Sequence, residues 1–186
     1  MSPLEIFAAL ITLVSVWLTA VENIWCWPTG IVSVILYAYV NWQARLYGNA
    51  WLQVIYLILN IYGWWAWLYG GEHHDELPVS RTPWRAWIVI WTAGIASTAG
   101  IALWMHAHTD ASMPWTDAGT TVFSVLAQVM MTRKWIENWI FWVLIDIVTT
   151  WIYMQQKLYP SALLYFVMIF VAAYGWVKWK RSLASA

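Results

Sequence analysis

The sequence predicts an all-α integral membrane protein with seven transmembrane helices in a 3+1+3 parallel-repeat arrangement, and three observations lead there. Of its 186 residues, 62% are hydrophobic and only 10% charged, whereas soluble domains average about 25% charged residues. Seven apolar stretches recur between short polar breaks, each near the ~20 helical residues that cross a ~30 Å hydrocarbon core. Finally, short motifs of the first third of the chain return in the last third. A soluble bundle would need a polar outer face on every helix, and residues 31–40 and 162–174 offer almost none.

The first span is expected from Leu4 to Val21; without a basic leader or small-residue cleavage site before it, it is expected to be retained. The second runs from Ile24 to Trp42, and Arg45, Gly48 and Asn49 separate it from the third, Ala50 to Tyr69. A polar stretch from Gly70 to Pro83, with Glu72, His73, His74, Asp75 and Glu76, precedes the fourth, Trp84 to Met105. The fifth covers Trp115 to Thr132 and the sixth Trp139 to Gln155; Pro160 opens the seventh, Ser161 to Val177. The expected units are a first three-helix repeat over 1–69, a polar loop and linking fourth helix over 70–112, and a second three-helix repeat with a short tail over 113–186.

Loops rich in lysine and arginine stay in the cytoplasm. Arg81, Arg85, Arg133, Lys134, Lys178, Lys180 and Arg181 fall on one side, and only Arg45 and Lys157 on the other. The C-terminus is therefore expected inside and, with an odd number of spans, the N-terminus outside.

The repeat reads as Glu22-Asn23, Leu46-Tyr47 and Tyr62-Gly63-Trp64-x-x-Trp67, followed by Glu137-Asn138, Leu158-Tyr159 and Tyr174-Gly175-Trp176-x-x-Trp179. The offset is 115 residues early and 112 later, and the early register pairs Trp27 with Trp142. Two adjacent three-helix copies would be antiparallel; one intervening helix makes them parallel, and a cargo can sit between halves that rock.

Nineteen tryptophans and ten tyrosines suit membrane interfaces and the stacking of flat ligands. The single Cys26 excludes an internal disulfide and a cysteine-built metal site, and it reads as a small packing residue. A net charge of zero argues against nucleic acid.

An ionisable residue in mid-span costs a few kcal/mol by insertion scales and is a functional candidate by default. Asp146 is the strong case. It lies about 13 Å along the helix from Glu137, at about 1.5 Å per residue, and shares a face with Trp139 and Trp142 at i, i+3, i+7 spacing. Two indoles and a carboxylate suit a flat cation; the other reading is a protonated or amide-paired Asp146 that joins helices. Gln53 and Asn60 share a face of the third span, with Tyr56 roughly between them, and these residues either orient a ligand or bond neighbouring helices. Gln128 is a weaker candidate. Glu22 and Glu137 are expected to fix turns. His73-His74 and His106-x-His108 lack a partner set for metal, so neither metal nor cofactor is expected.

The stretches from Trp51 through Gln53, Tyr56 and Asn60 to Trp67, and from Met131 through Trp139 and Trp142 to Asp146, resemble the PnuC-type vitamin transporters. The family's hallmark, Trp-x-x-Trp-x-x-x-Asn/Asp, is met by Trp139, Trp142 and Asp146, and the resemblance extends over essentially the whole chain. It implies a fold like that of the SWEET-class sugar transporters and passive movement of an unphosphorylated vitamin that cytoplasmic kinases then trap. It also implies Trp139 and Trp142 as ring contacts, Asp146 at the Asn/Asp position and Gln53 as a polar contact. Relatives divide among nicotinamide riboside, thiamine, riboflavin and deoxynucleosides; the motif favours nicotinamide riboside.

No lysine or arginine lies in mid-span, which disfavours a phosphorylated cargo. Thiamine, another flat cation, is the runner-up. The expected partners are a small cationic vitamin, the lipid bilayer of a bacterial cytoplasmic membrane, a second copy of the chain, and a cytoplasmic vitamin kinase. An intramembrane enzyme would need a second catalytic group that is not visible, and a retinal protein a lysine deep in the last span, where Lys178 is terminal. A purely structural membrane protein leaves Asp146 and the repeat without a use.

Overall fold

The computed structural model describes residues 3–43, 45, 47–71, 74–110 and 113–185. Seven helices follow one another: α1 (Pro3–Ala20), α2 (Cys26–Gln43), α3 (Tyr47–Tyr69), α4 (Trp84–His108), α5 (Pro114–Thr132), α6 (Asn138–Gln155) and α7 (Tyr159–Ser185). Each expected span falls on one helix, with ends displaced by a few residues. α7 runs furthest past expectation, through Lys178, Lys180 and Arg181 to Ser185. Its basic, helix-forming residues end the apolar span without ending the helix, because no proline or glycine follows Gly175 to stop it.

α1 packs on α2, α2 on α3, α3 on α5, α5 on α6, α6 on α7, and α7 back on α1. Six helices thus close a ring, and α4 lies outside it along α5. The rings of Trp87 and Trp91 on α4 reach Phe141 of α6, each at 6.0 Å between centroids. Side-chain bonds join the C-terminal end of α1 to that of α7 and the C-terminal end of α3 to that of α5, so the odd-numbered helices run parallel.

Three helices, Pro3–Ala20, Trp84–His108 and the Tyr159–Ala184 part of α7, are long and apolar enough to cross a membrane. The other four fall below that hydropathy, and some of their polar side chains turn inward: Asn60 on α3, Ser124 on α5 and Asp146 on α6 are all buried. The outside of the bundle is apolar, with Leu10, Ile58, Val89, Leu144 and Leu163 all exposed, a surface that hydrocarbon covers at no cost.

The stretch from Ser80 to Thr82 is pinned down. Ser80 donates to the Lys134 carbonyl and accepts from the Ile136 amide, both at 3.0 Å. Glu137 Oε2 accepts from the Thr82 amide and hydroxyl, each at 2.8 Å. Glu137 therefore fixes a turn, as expected. Glu72 and His73 lie outside the described residues.

Candidate functional site

On the face that carries the C-terminus, the turns after α1 and α5 share four backbone bonds at matched positions. Glu22 and Lys134 both adopt left-handed φ, 59° and 49°. The Asn23 amide bonds back to Leu18 and the Trp135 amide to Met130, in each case five residues earlier. The same register pairs Trp27 with Trp139 and Gly63 with Gly175. A Cβ on Gly63 would lie 2.1 Å from the Trp27 ring, and one on Gly175 2.6 Å from the Trp139 ring. Glycine is required at both positions so that an indole can lie on the helix backbone.

The spacing is thus 112 residues in the turns as well as in the later motifs, and Trp27 corresponds to Trp139, not to Trp142. The Glu-Asn likeness at 115 is out of register by three residues, close to one helical turn.

Trp27, Trp67, Trp179 and Trp139 form one continuous aromatic cluster. Trp27 meets Trp67 edge-on at 5.2 Å, Trp67 meets Trp179 at 5.8 Å, and Trp179 meets Trp139 at 5.4 Å. All four are buried. The Trp67 indole donates to the Met131 carbonyl and the Trp179 indole to the Thr19 carbonyl, both at 3.1 Å. Lys134 Nζ stands 3.7 Å from Glu22 Oε2 and 4.5 Å from the Trp67 ring centroid. Burial pushes the Lys134 ammonium below its usual pKa, while the nearby charges of Glu22 and Glu76 pull the other way.

Deeper in the bundle lie the other candidates. Asp146 is 5% exposed, and its carboxylate accepts no hydrogen bond from a described residue. One turn before it on α6, Trp142 packs between two apolar clusters with its indole N–H buried and without an acceptor. On α3, Tyr56 shares a hydrogen bond of 2.5 Å with Ser124 of α5, which ties the two helices. Asn60 donates to the Tyr56 carbonyl at 2.7 Å, and its Oδ1 lies 2.5 Å from where a Gly30 Cβ would stand. Gln53 is half-buried two residues past Trp51.

Trp139 is placed differently from Trp142: it is fully enclosed among Trp179, Gly175 and its own helix, with an unpartnered indole N–H. Tyr165 on α7 is a residue that sequence reasoning missed. Its hydroxyl lies in electrostatic range of Asp146, Tyr37, Tyr56 and Tyr153, and its ring stacks on Tyr153 at 5.4 Å. The 112-residue spacing that maps Gln53 onto Tyr165 was the available signal. Ser124, likewise unflagged, corresponds at that spacing to Thr12, which shares a 2.5 Å hydrogen bond with Ser33.

Residues 2–181 match the family described as nicotinamide mononucleotide transporter. The chain belongs to this family. A crystal structure of the vitamin B3 transporter PnuC superposes with a TM-score of 0.74 at 26% identity, covering 96% of this chain and 80% of that one. The nicotinamide riboside transporter PnuC of Escherichia coli K12 is 26% identical over 207 residues, 98% of this chain and 87% of that protein. The PnuC of Neisseria mucosa is 28% identical over 82% of this chain and 62% of its own length. The riboflavin/roseoflavin transporter RibM of Streptomyces davaonensis is 26% identical over 68% of this chain and 61% of its own length. Membership of this transporter family, the span-length apolar helices and the apolar flank make the chain a bacterial inner-membrane protein.

Proposed function

We propose that the chain carries nicotinamide riboside across the bacterial inner membrane by facilitated diffusion, and that cytoplasmic phosphorylation traps it. The observation that carries this reading is the buried Asp146, whose carboxylate accepts no hydrogen bond from a described residue, one turn after the unpartnered Trp142 indole, inside a family whose relatives include named nicotinamide riboside transporters. A carboxylate withdrawn from water costs several kcal/mol unless a charge answers it. A cationic pyridinium answers it, and an indole face attracts the same ring.

The proposed site comprises Trp142 and Asp146 from α6, with Gln53, Tyr56 and Asn60 from α3 orienting the amide and ribose. Trp139, with its ring enclosed between Gly175 and Trp179, would back this site from one turn nearer the C-terminal face without touching the cargo. All nine lysines and arginines sit at helix ends or in turns. A phosphate would therefore find no cationic partner at this depth, and the nucleoside is favoured over the mononucleotide.

The ring of helices and the matched turns support two three-helix repeats joined by α4, with a pseudo-twofold axis along the membrane normal. On this reading all seven helices span. The basic residues favour a cytoplasmic C-terminal face, with the N-terminus outside. The chain is further proposed to act as a homo-oligomer.

A second reading, riboflavin transport, is favoured by the likeness to RibM. Calorimetric titration of the purified protein with nicotinamide riboside, nicotinamide mononucleotide, riboflavin and thiamine separates these readings. Micromolar or tighter binding of the riboside alone supports the first; binding of riboflavin or thiamine alone replaces the cargo.

A further inference from the structure

The bonds at the C-terminal face link the two three-helix groups to each other. Trp67 belongs to α3 and reaches the Met131 carbonyl of α5; Trp179 belongs to α7 and reaches the Thr19 carbonyl of α1. The two bonds are reciprocal under the 112-residue spacing, and the two indoles meet between them at 5.8 Å. Glu22 follows α1 and Lys134 follows α5, so their ion pair also crosses from one group to the other. Ser182 of α7 donates to Glu22 as well.

The chemistry of these bonds suits repeated making and breaking. Both acceptor carbonyls lie in the last turn of a helix, where carbonyls have no partner one turn on. Each also accepts a turn bond that does not depend on the indole: the Glu22 amide to Thr19 and the Lys134 amide to Met131, both at 3.0 Å. An indole can therefore leave without opening a helix or orphaning an acceptor.

On the outer side a cavity of about 360 Å³, lined by Glu22, Trp25, Trp67, Glu76 and Lys134 among others, brings the outside up to the Trp67 ring. On the inner side, Trp27, Trp139 and Trp142 hold buried indole N–H groups without acceptors, which is costly as long as the face is closed. Water admitted by opening would satisfy them.

We propose that Trp67 and Trp179, with the Glu22–Lys134 ion pair, form the gate that closes the passage on the C-terminal face and opens in each transport cycle. This rests on the transporter reading above, but not on the identity of the cargo. The two indole bonds, the aromatic contact and the ion pair are one unit because Lys134 lies against both Glu22 and Trp67. Breaking one member weakens the others.

The protein holds its own reporter. Cys26, its single cysteine, is 2% exposed and packs in the cluster with Trp27, Trp67, Trp139 and Trp179. Its alkylation by N-ethylmaleimide in membrane vesicles measures how often this face opens. Replacing both Trp67 and Trp179 with phenylalanine keeps a ring and removes the two N–H donors. Glu22→Gln removes the charge, and the exchange Glu22→Lys with Lys134→Glu restores a pair.

Alkylation should rise at least about fivefold in the double phenylalanine variant and in Glu22→Gln, and should return to near the wild-type rate in the exchanged pair. Binding of nicotinamide riboside should stay within about threefold of wild type, because the site lies deeper. If the phenylalanine variant does not fold, Glu22→Gln and the exchanged pair decide alone. Unchanged alkylation in Glu22→Gln, or no recovery in the exchanged pair, overturns the gate. Alkylation needs no cargo, so a wrong cargo leaves this result intact, whereas a failed gate leaves the titration intact.

Discussion

Replacing Asp146 with asparagine changes charge and almost nothing else. The side chain is 5% exposed and accepts no hydrogen bond from a described residue, so the substitution breaks no internal bond that the fold depends on. On the proposed reading, what it removes is the negative partner of a bound cation. Two unit charges about 4 Å apart attract by about 4 kcal/mol at an effective dielectric of ~20, and desolvation offsets part of that; a net of about 1.5–3 kcal/mol converts to about a 10- to 150-fold rise in Kd. Calorimetry with two ligands isolates the charge: nicotinamide riboside, whose ring is cationic, and its dihydro form, whose ring is neutral and nearly the same shape. Asp146→Asn should weaken the first by that factor and the second by less than about threefold. Equal losses for both ligands would refute a charge role and leave Asp146 as a polar shaper of the site. No loss for either would remove it from the site altogether.

Other expectations follow from single contacts. Gly63→Ala and Gly175→Ala would place a methyl 2.1 Å and 2.6 Å from an indole; overpacking of this kind costs about 1–3 kcal/mol, and detergent-solubilised protein should melt several degrees lower in each. Tyr56→Phe removes the 2.5 Å bond to Ser124 and should cost about 0.5–1.5 kcal/mol in thermal unfolding, with cargo affinity falling further if the hydroxyl also meets ribose. Burial lowers the Lys134 pKa from its ordinary 10.5, so the folded state releases this proton before the unfolded chain does, and stability rises with pH between the two values. The unfolding temperature of wild type relative to Lys134→Met should therefore climb as pH rises toward 10.5; a flat difference would show that Lys134 is not desolvated.

The helices were legible because apolar length is a one-dimensional property: each stretch between polar breaks became one helix. Asp146 was legible because a lone carboxylate in an apolar run stands out. The register of the repeat was not. Glu-Asn is identical in the two copies at 115, yet the turns match at 112, where Glu22 faces its own counterpart Lys134 as an ion pair. Identity misled there because opposite charges, not equal ones, form a bond between equivalent positions. The same slip hid the difference between two neighbouring tryptophans. Trp139, with Trp27 as its counterpart, lies on a glycine in both halves, whereas Trp142 corresponds to Gly30 and has no twin. Asp146 likewise corresponds to Val34. Positions that match at this spacing include the two indole bonds that join the helix groups; on the proposed reading, positions that do not match are the ones that meet the cargo. Tyr165 could not be separated from interface tyrosines by composition; only its packing against Tyr153 and its nearness to Asp146 distinguish it.

The most direct test of the central claim is uptake of labelled nicotinamide riboside into lipid vesicles that contain the purified protein, with no ion gradient, beside vesicles that contain Asp146→Ala. The account predicts that label equilibrates across the wild-type membrane, that unlabelled riboside but not the mononucleotide competes, and that the variant is slowed at least about tenfold at limiting substrate. Uptake no faster than in protein-free vesicles, or uptake that the mononucleotide blocks as well as the riboside does, would contradict it.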